Sequence, residues 1–175
     1  MQLYEKYVTE TVDEKTGRLT KIDFHIPDDF NFGFDVVDFW GKNTPDKTAL
    51  LWVGEHHEEK TFTFSDMMRL TNKTANYFRS LGIKKGDRVM LILRRHYQFW
   101  FSIVALHKIG AIVIPATDQL MKKDLVYRFN LAGVSAVVIS STGSIVDEAE
   151  KAFEQCDVKT KILVGASRDG WHDFD

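Results

Sequence analysis

The sequence predicts an α/β fold: a largely parallel sheet with helices on both faces, behind a short N-terminal arm. Three observations carry this. The runs Val89–Leu93, Ile112–Ile114 and Val137–Ile139 are apolar without alternation, as expected of strands buried on both faces. The strand starts at Arg88, Ala111 and Val134 recur at equal intervals of 23 residues. The first two intervals each hold a helical segment closed by a glycine, long enough for the crossover that parallel neighbours require.

Residues 1–29 read as a charged arm with a turn at Asp13–Gly17. The aromatic run Phe30–Phe34 is expected to dock that arm onto a body spanning residues 30–175 by burying rings. A short helix starts near Asp35 and ends before Pro45, whose ring cannot continue it. Thr48–Val53 and Lys60–Phe64 read as strands of a hairpin around the polar link Gly54–Glu59. A helix from Ser65 to Leu81 follows, with Met67, Leu70, Thr71, Thr74, Ala75, Phe78 and Leu81 on one face. Ser65 or Thr63 caps its start and Gly82 its end. The regular pattern then takes over. Strand Arg88–Leu93 leads to helix Gln98–Ile109, strand Ala111–Pro115 to helix Lys122–Ala132, and strand Val134–Ser140 to helix Ser144–Cys156. Strand Lys161–Val164 comes last.

The composition excludes several classes. A formal net charge of -2 leaves no basic excess to neutralise nucleic-acid phosphates, although it allows a small phosphorylated ligand. The single cysteine, Cys156, rules out an intrachain disulfide and fits a reducing cytosol. Met1–Glu10 lacks the apolar core of a secretory signal, and the apolar runs are far too short to span a bilayer, so the expected location is cytoplasmic.

In open parallel sheets, ligands gather outside the carboxyl ends of the strands. Those ends here are Arg94-Arg95-His96, Pro115-Ala116-Thr117-Asp118-Gln119 and Ser140-Ser141-Thr142-Gly143-Ser144. Arg94, Arg95 and His96 form either a cationic patch for a phosphate or carboxylate, or a solvated turn of the kind charge runs usually make. Ser140–Ser144 lacks the lysine and glycine spacing of a phosphate loop and reads as an ordinary strand-to-helix turn with Ser144 at the cap. Gln119 taken alone is an exposed loop amide, able to donate and to accept. His56 and His57 have no accompanying metal ligands at suitable spacing, and His107 sits in an apolar helix as a packed residue. No catalytic triad or nucleotide fingerprint stands out, so no catalytic or metal-binding residue is assigned.

The order of segments resembles the adenylate-forming superfamily. Thr61-Phe62-Thr63-Phe64-Ser65-Asp66 is similar to its first core motif, with Asp66 where glutamate is usual. Leu81-Gly82-Ile83-Lys84-Lys85-Gly86-Asp87-Arg88-Val89 resembles its glycine-aspartate turn and the strand after it. Ala105–Pro115 resembles its second core motif. Within the superfamily, Asn31–Val36, Pro115–Leu120, Asp124–Arg128 and Ser167–Trp171 are similar to medium-chain acyl-CoA synthetases, with Ala116 and Asp118 where that branch often has glycine and threonine.

This resemblance implies a two-step ligase. A carboxylic acid attacks the α-phosphate of ATP, assisted by Mg²⁺, to give an acyl-adenylate and pyrophosphate; the thiol of coenzyme A then takes the acyl group and releases AMP. It further implies that Gln119 contacts coenzyme A, with Arg94, Arg95 and His96 as weaker candidates beside it. The family's hydroxyl-rich loop ending in Pro-Lys, its downstream aspartate and its C-terminal lysine do not occur in this sequence, so ATP and Mg²⁺ are expected to bind elsewhere. The expectation is a piece that ends before the phosphate loop, is inactive alone, and works with the remainder of its own chain. Self-association through exposed apolar surface is a further expectation. Two alternatives stay open: a stand-alone interaction or regulatory module of the same fold, and an adenylating enzyme with another acceptor.

Overall fold

In a computed structural model, which describes residues 2–175, the chain forms two units, one ending at Asn31 and the other spanning Phe32–Asp175. The smaller unit holds more order than its charged composition predicts. A 3₁₀ turn at Leu3–Lys6 leads into an antiparallel hairpin of β1 (Val8–Val12) and β2 (Leu19–Phe24). The connecting turn is the one expected at Asp13–Gly17. The Asp13 carboxylate accepts from the backbone N–H groups of Lys15 and Thr16 and from the Thr16 hydroxyl. Those bonds hold its pKa below the usual carboxylate value. Tyr7 and Phe30 pack edge to face at 5.1 Å.

The larger unit begins with a π-helical segment, Phe32–Asp38, which runs into α1 (Phe39–Asn43). The helical stretch therefore starts three residues before Asp35. β3 (Thr48–Val53) and β4 (Glu59–Thr63) form the predicted hairpin. α2 (Phe64–Ser80) starts at a reciprocal cap: Thr63 Oγ1 accepts from the Asp66 N–H, and Asp66 Oδ2 accepts from the Thr63 N–H. Asp66 thus does the work of the more usual glutamate, and Thr63, not Ser65, is the cap.

The centre is a five-stranded sheet of β5 (Arg88–Ile92), β6 (Ile112–Pro115), β7 (Ala136–Ser140), β8 (Thr160–Val164) and β9 (His172–Asp173). Their spatial order is β6-β5-β7-β8-β9, and every neighbouring pair is parallel. The crossovers are α3 (Gln98–Ile109), α4 (Lys122–Ala132) and α5 (Ile145–Phe153).

Element ends differ from the predicted ones for local reasons. The Ala111 N–H donates to the Leu106 carbonyl and the Val134 N–H to the Phe129 carbonyl, so both residues close the preceding helix and the strands start later. At the end of α5, Gln155 and Cys156 donate to carbonyls only three residues back, which tightens the last turn and ends the α-helix at Phe153.

Side chains on β5 and β7 alternate between two cores. Val89, Leu91, Ala136 and Val138 pack with Ala75, Phe78, Ala105 and Leu106 from α2 and α3. Met90, Ile92, Val137 and Ile139 pack with Leu125, Phe129, Ile145 and Ala149 from α4 and α5. Burial on both faces is why these strands carry no polar alternation.

A charge lies inside this unit. The Lys108 amine donates to Asp38 Oδ1 at 2.6 Å, to Asn72 Oδ1 at 2.7 Å and to Thr71 Oγ1 at 2.9 Å. The side chains of Lys108 and Asp38 are 2% and 8% exposed. Burial lowers the Lys108 pKa, and the Asp38 carboxylate opposes that shift.

Candidate functional site

The strand order locates the site more sharply than the sequence could. The chain runs from β5 outward to β6 on one side, then from β7 outward to β8 on the other. The carboxyl ends of β5 and β7 therefore flank a topological switch point, where open α/β sheets form their ligand crevice. β5 delivers Arg94, Arg95 and His96 there, β7 delivers Ser140–Thr142, and β6 places Asp118 and Gln119 on the neighbouring edge.

The four predicted contact residues meet different fates. Arg94 is a tie between loops: Nη2 lies 3.1 Å from Glu55 Oε1 in the β3–β4 turn, and Nε lies 3.8 Å from Asp118 Oδ2. Arg95 is exposed, and its guanidinium has no hydrogen bond or ion pair among the described residues. Its backbone takes a positive φ of 45°, and its carbonyl accepts from Trp52 Nε1 at 2.5 Å, which fixes the turn. His96 is half-buried. Desolvation lowers its pKa, while the Asp175 and Glu55 carboxylates push back, so the neutral ring is favoured. Gln119 is exposed, its backbone N–H donates to Thr117 Oγ1 at 3.3 Å, and its carboxamide is unengaged among the described residues.

Arg95 and Gln119 are thus the groups open to a ligand, while Arg94 brings the Gln119 loop and the β3–β4 turn together. Sequence reasoning missed this division because Glu55 is 39 residues from Arg94. It also missed Gln98, which is buried, lines a cavity of about 370 Å³ with Tyr97 and Asp175, and donates to Asp175 Oδ1 at 2.8 Å.

The hydroxyl turn is not a phosphate loop. Ser140 Oγ and Thr142 Oγ1 are 3.0 Å apart and bond each other, and Ser144 makes no side-chain cap. No group of three or more His, Cys, Asp or Glu that could hold a metal occurs among the described residues. Among the described residues no helix is long and apolar enough to cross a membrane.

Comparison with known proteins decides the family. Residues 37–173 match the model of the AMP-binding enzymes. The chain belongs to the AMP-binding enzyme family. It is 37% identical over 161 residues to the mouse (Mus musculus) acyl-coenzyme A synthetase ACSM1, mitochondrial, covering 87% of this chain and 28% of that protein. It is 33% identical over 157 residues to the rat (Rattus norvegicus) acyl-coenzyme A synthetase ACSM5, mitochondrial, covering 85% and 27%. The chain therefore spans a little over a quarter of the length of the curated relatives it matches. Its fold matches an acetoacetyl-CoA synthetase from Streptomyces lividans with a TM-score of 0.74 at 20% identity, over 88% of this chain and 26% of that one. A benzoate CoA ligase from Burkholderia xenovorans LB400 gives 0.65 at 20% identity, over 83% and 27%.

Proposed function

We propose that this chain is the part of an AMP-forming acyl-CoA synthetase that supplies the coenzyme A side of its site. The full reaction joins a carboxylic acid to coenzyme A through an acyl-adenylate made from ATP. The observation that carries the proposal is the 37% identity to an acyl-coenzyme A synthetase across 87% of the chain. In this reading Gln119 donates to and accepts from amide groups of coenzyme A, and Arg95 meets its phosphates. Arg94 holds the two loops in register, and His96 offers a neutral hydrogen bond. The chemistry at phosphorus depends on ATP and Mg²⁺ bound by residues other than these, so the 175 residues alone are expected not to form thioester. A cytoplasmic location is the one expected from the sequence, whereas the relatives above are named mitochondrial.

The test is a chimera in which this chain replaces the matching segment of the mouse ACSM1 protein. With ATP, coenzyme A and medium-chain acids, the chimera is expected to release AMP and form acyl-CoA. AMP release that ignores coenzyme A would point to a different acceptor, and a folded chimera with no turnover would count against the proposal.

A further inference from the structure

A cavity of about 730 Å³ opens at the opposite, amino-terminal edge of the sheet, between the ends of α2 and α3 and the turn leading into β5. Arg79, Lys84 and Lys85 line it together with the amides of Asn72 and Asn76 and the buried Lys108, which is paired to Asp38; among the described residues no carboxylate lines it. Arg79, Lys84 and Lys85 are exposed and none of the three has an ion-pair partner among the described residues, in a chain whose net charge is -2.

These cations are not needed to finish the helices. The Ile83 N–H donates to the Phe78 carbonyl and the Gly82 N–H to that of Arg79, while Ala111 and Gly110 close α3 in the same way. The turn that carries Lys84 and Lys85 is held rigidly. Asp87 Oδ2 accepts from the Lys84 N–H at 2.9 Å, the Asp87 N–H donates to the Lys84 carbonyl at 3.1 Å, and the Gly86 N–H donates to the Gly110 carbonyl at 3.0 Å. The Lys85 stem lies across Gly110, where a Cβ would come within 3.1 Å of its Cγ. The carboxylates nearby are committed: Asp87 to the turn and Asp38 to Lys108. Three cations at the mouth of one concavity, on a turn that need not reorganise, suit a multiply charged anion. Fixed cations also bind phosphate oxygens through short charge-assisted hydrogen bonds. The cavity falls in the size range of small-molecule sites, and it has an apolar side at Phe34, Ile83 and Ile109.

We propose that this amino-edge cavity is a second ligand site, for a di- or triphosphate group, held by Arg79, Lys84 and Lys85. It does not rest on the coenzyme A reading, whose residues lie at the carboxyl edge.

The test is ¹⁵N NMR titration of the chain at low salt with inorganic tripolyphosphate and, separately, with ADP. Amide shifts confined to residues 76–87 and 109–110 are expected, weakening as salt is raised. The R79Q/K84Q/K85Q variant is expected to bind tripolyphosphate at least about tenfold more weakly, as loss of charge-assisted hydrogen bonds implies. K159Q, an exposed charge elsewhere, is expected to bind as the parent does. ADP binding more tightly than tripolyphosphate would identify a nucleotide as the occupant, with its base on the Phe34 side; equal affinity would identify the phosphate chain alone. No shifts at these residues, or a triple variant that binds as tightly as the parent, overturns the proposal. If the triple variant fails to fold, shift mapping on the unaltered chain, with K84Q and K85Q singly, decides the question in the same way.

Discussion

Lys108 and Arg94 each tie two distant parts of the larger unit to one another, and the two ties differ in one physical respect. The Lys108–Asp38 pair is almost fully withdrawn from water, whereas Arg94 and its partners Glu55 and Asp118 are 49%, 53% and 23% exposed in their side chains. A buried charge that loses its partner keeps its desolvation cost, so the Lys108 cluster locks the π-helical segment and α2 against α3. An exposed pair is screened and worth little, so Arg94 links the Gln119 loop to the β3–β4 turn only weakly. The same ion-pair chemistry is a strong constraint in one place and a weak, solvated link in the other.

The largest break in this contrast comes from Asp38→Ala. It leaves the Lys108 amine buried without its carboxylate and is expected to cost about 3–5 kcal/mol in denaturant unfolding. A loss under about 1 kcal/mol would mean that water reaches the amine and that the cluster is not a lock.

A middle-sized effect concerns pH at the carboxyl edge. The folded pKa of His96 lies below its ordinary value of 6.5, so the unfolded chain takes up the proton first as pH falls. His96 therefore reduces stability as pH drops through 6.5 towards the folded pKa, and the loss is complete below it. NMR titration should place this ring below 6.5, and His96→Gln should flatten stability against pH in that window. A ring titrating at or above 6.5 would contradict the buried, neutral role.

The smallest effect is Arg94→Gln, expected to change stability by less than about 1 kcal/mol. A much larger loss would erase the contrast with Lys108.

How much of this was legible in the sequence follows from the range of each interaction. β5 and β7 were readable because burial on both faces leaves continuous apolar runs; β6 is an apolar run too, but it lies at the sheet edge with Ile112 exposed and Val113 and Ile114 half-buried, so its expected burial on both faces does not hold. The β1–β2 hairpin was not, because its short strands interleave Thr, Glu, Lys and Asp with exposed Val12, Leu19, Ile22 and Phe24. β9 was hidden because two residues, His172 and Asp173, become a strand only by pairing beside β8. At the site, Arg94, Arg95 and His96 could be named from the end of a strand and Gln119 only through the family resemblance, but none of them could be sorted. Their sorting depends on Glu55 and on the strand order. The role of Lys108 was not legible because its partner Asp38 lies 70 residues earlier in the chain.

The coenzyme A assignment is tested most directly by Gln119→Ala in the ACSM1 chimera, measuring acid-dependent ATP–pyrophosphate exchange beside steady-state thioester formation. Loss of hydrogen bonds to the second substrate alone should raise KM for coenzyme A about five- to tenfold, in line with roughly 1–1.5 kcal/mol, and leave the exchange rate unchanged. An unchanged KM for coenzyme A, or an exchange rate that falls in step with thioester formation, would place Gln119 outside the coenzyme A site.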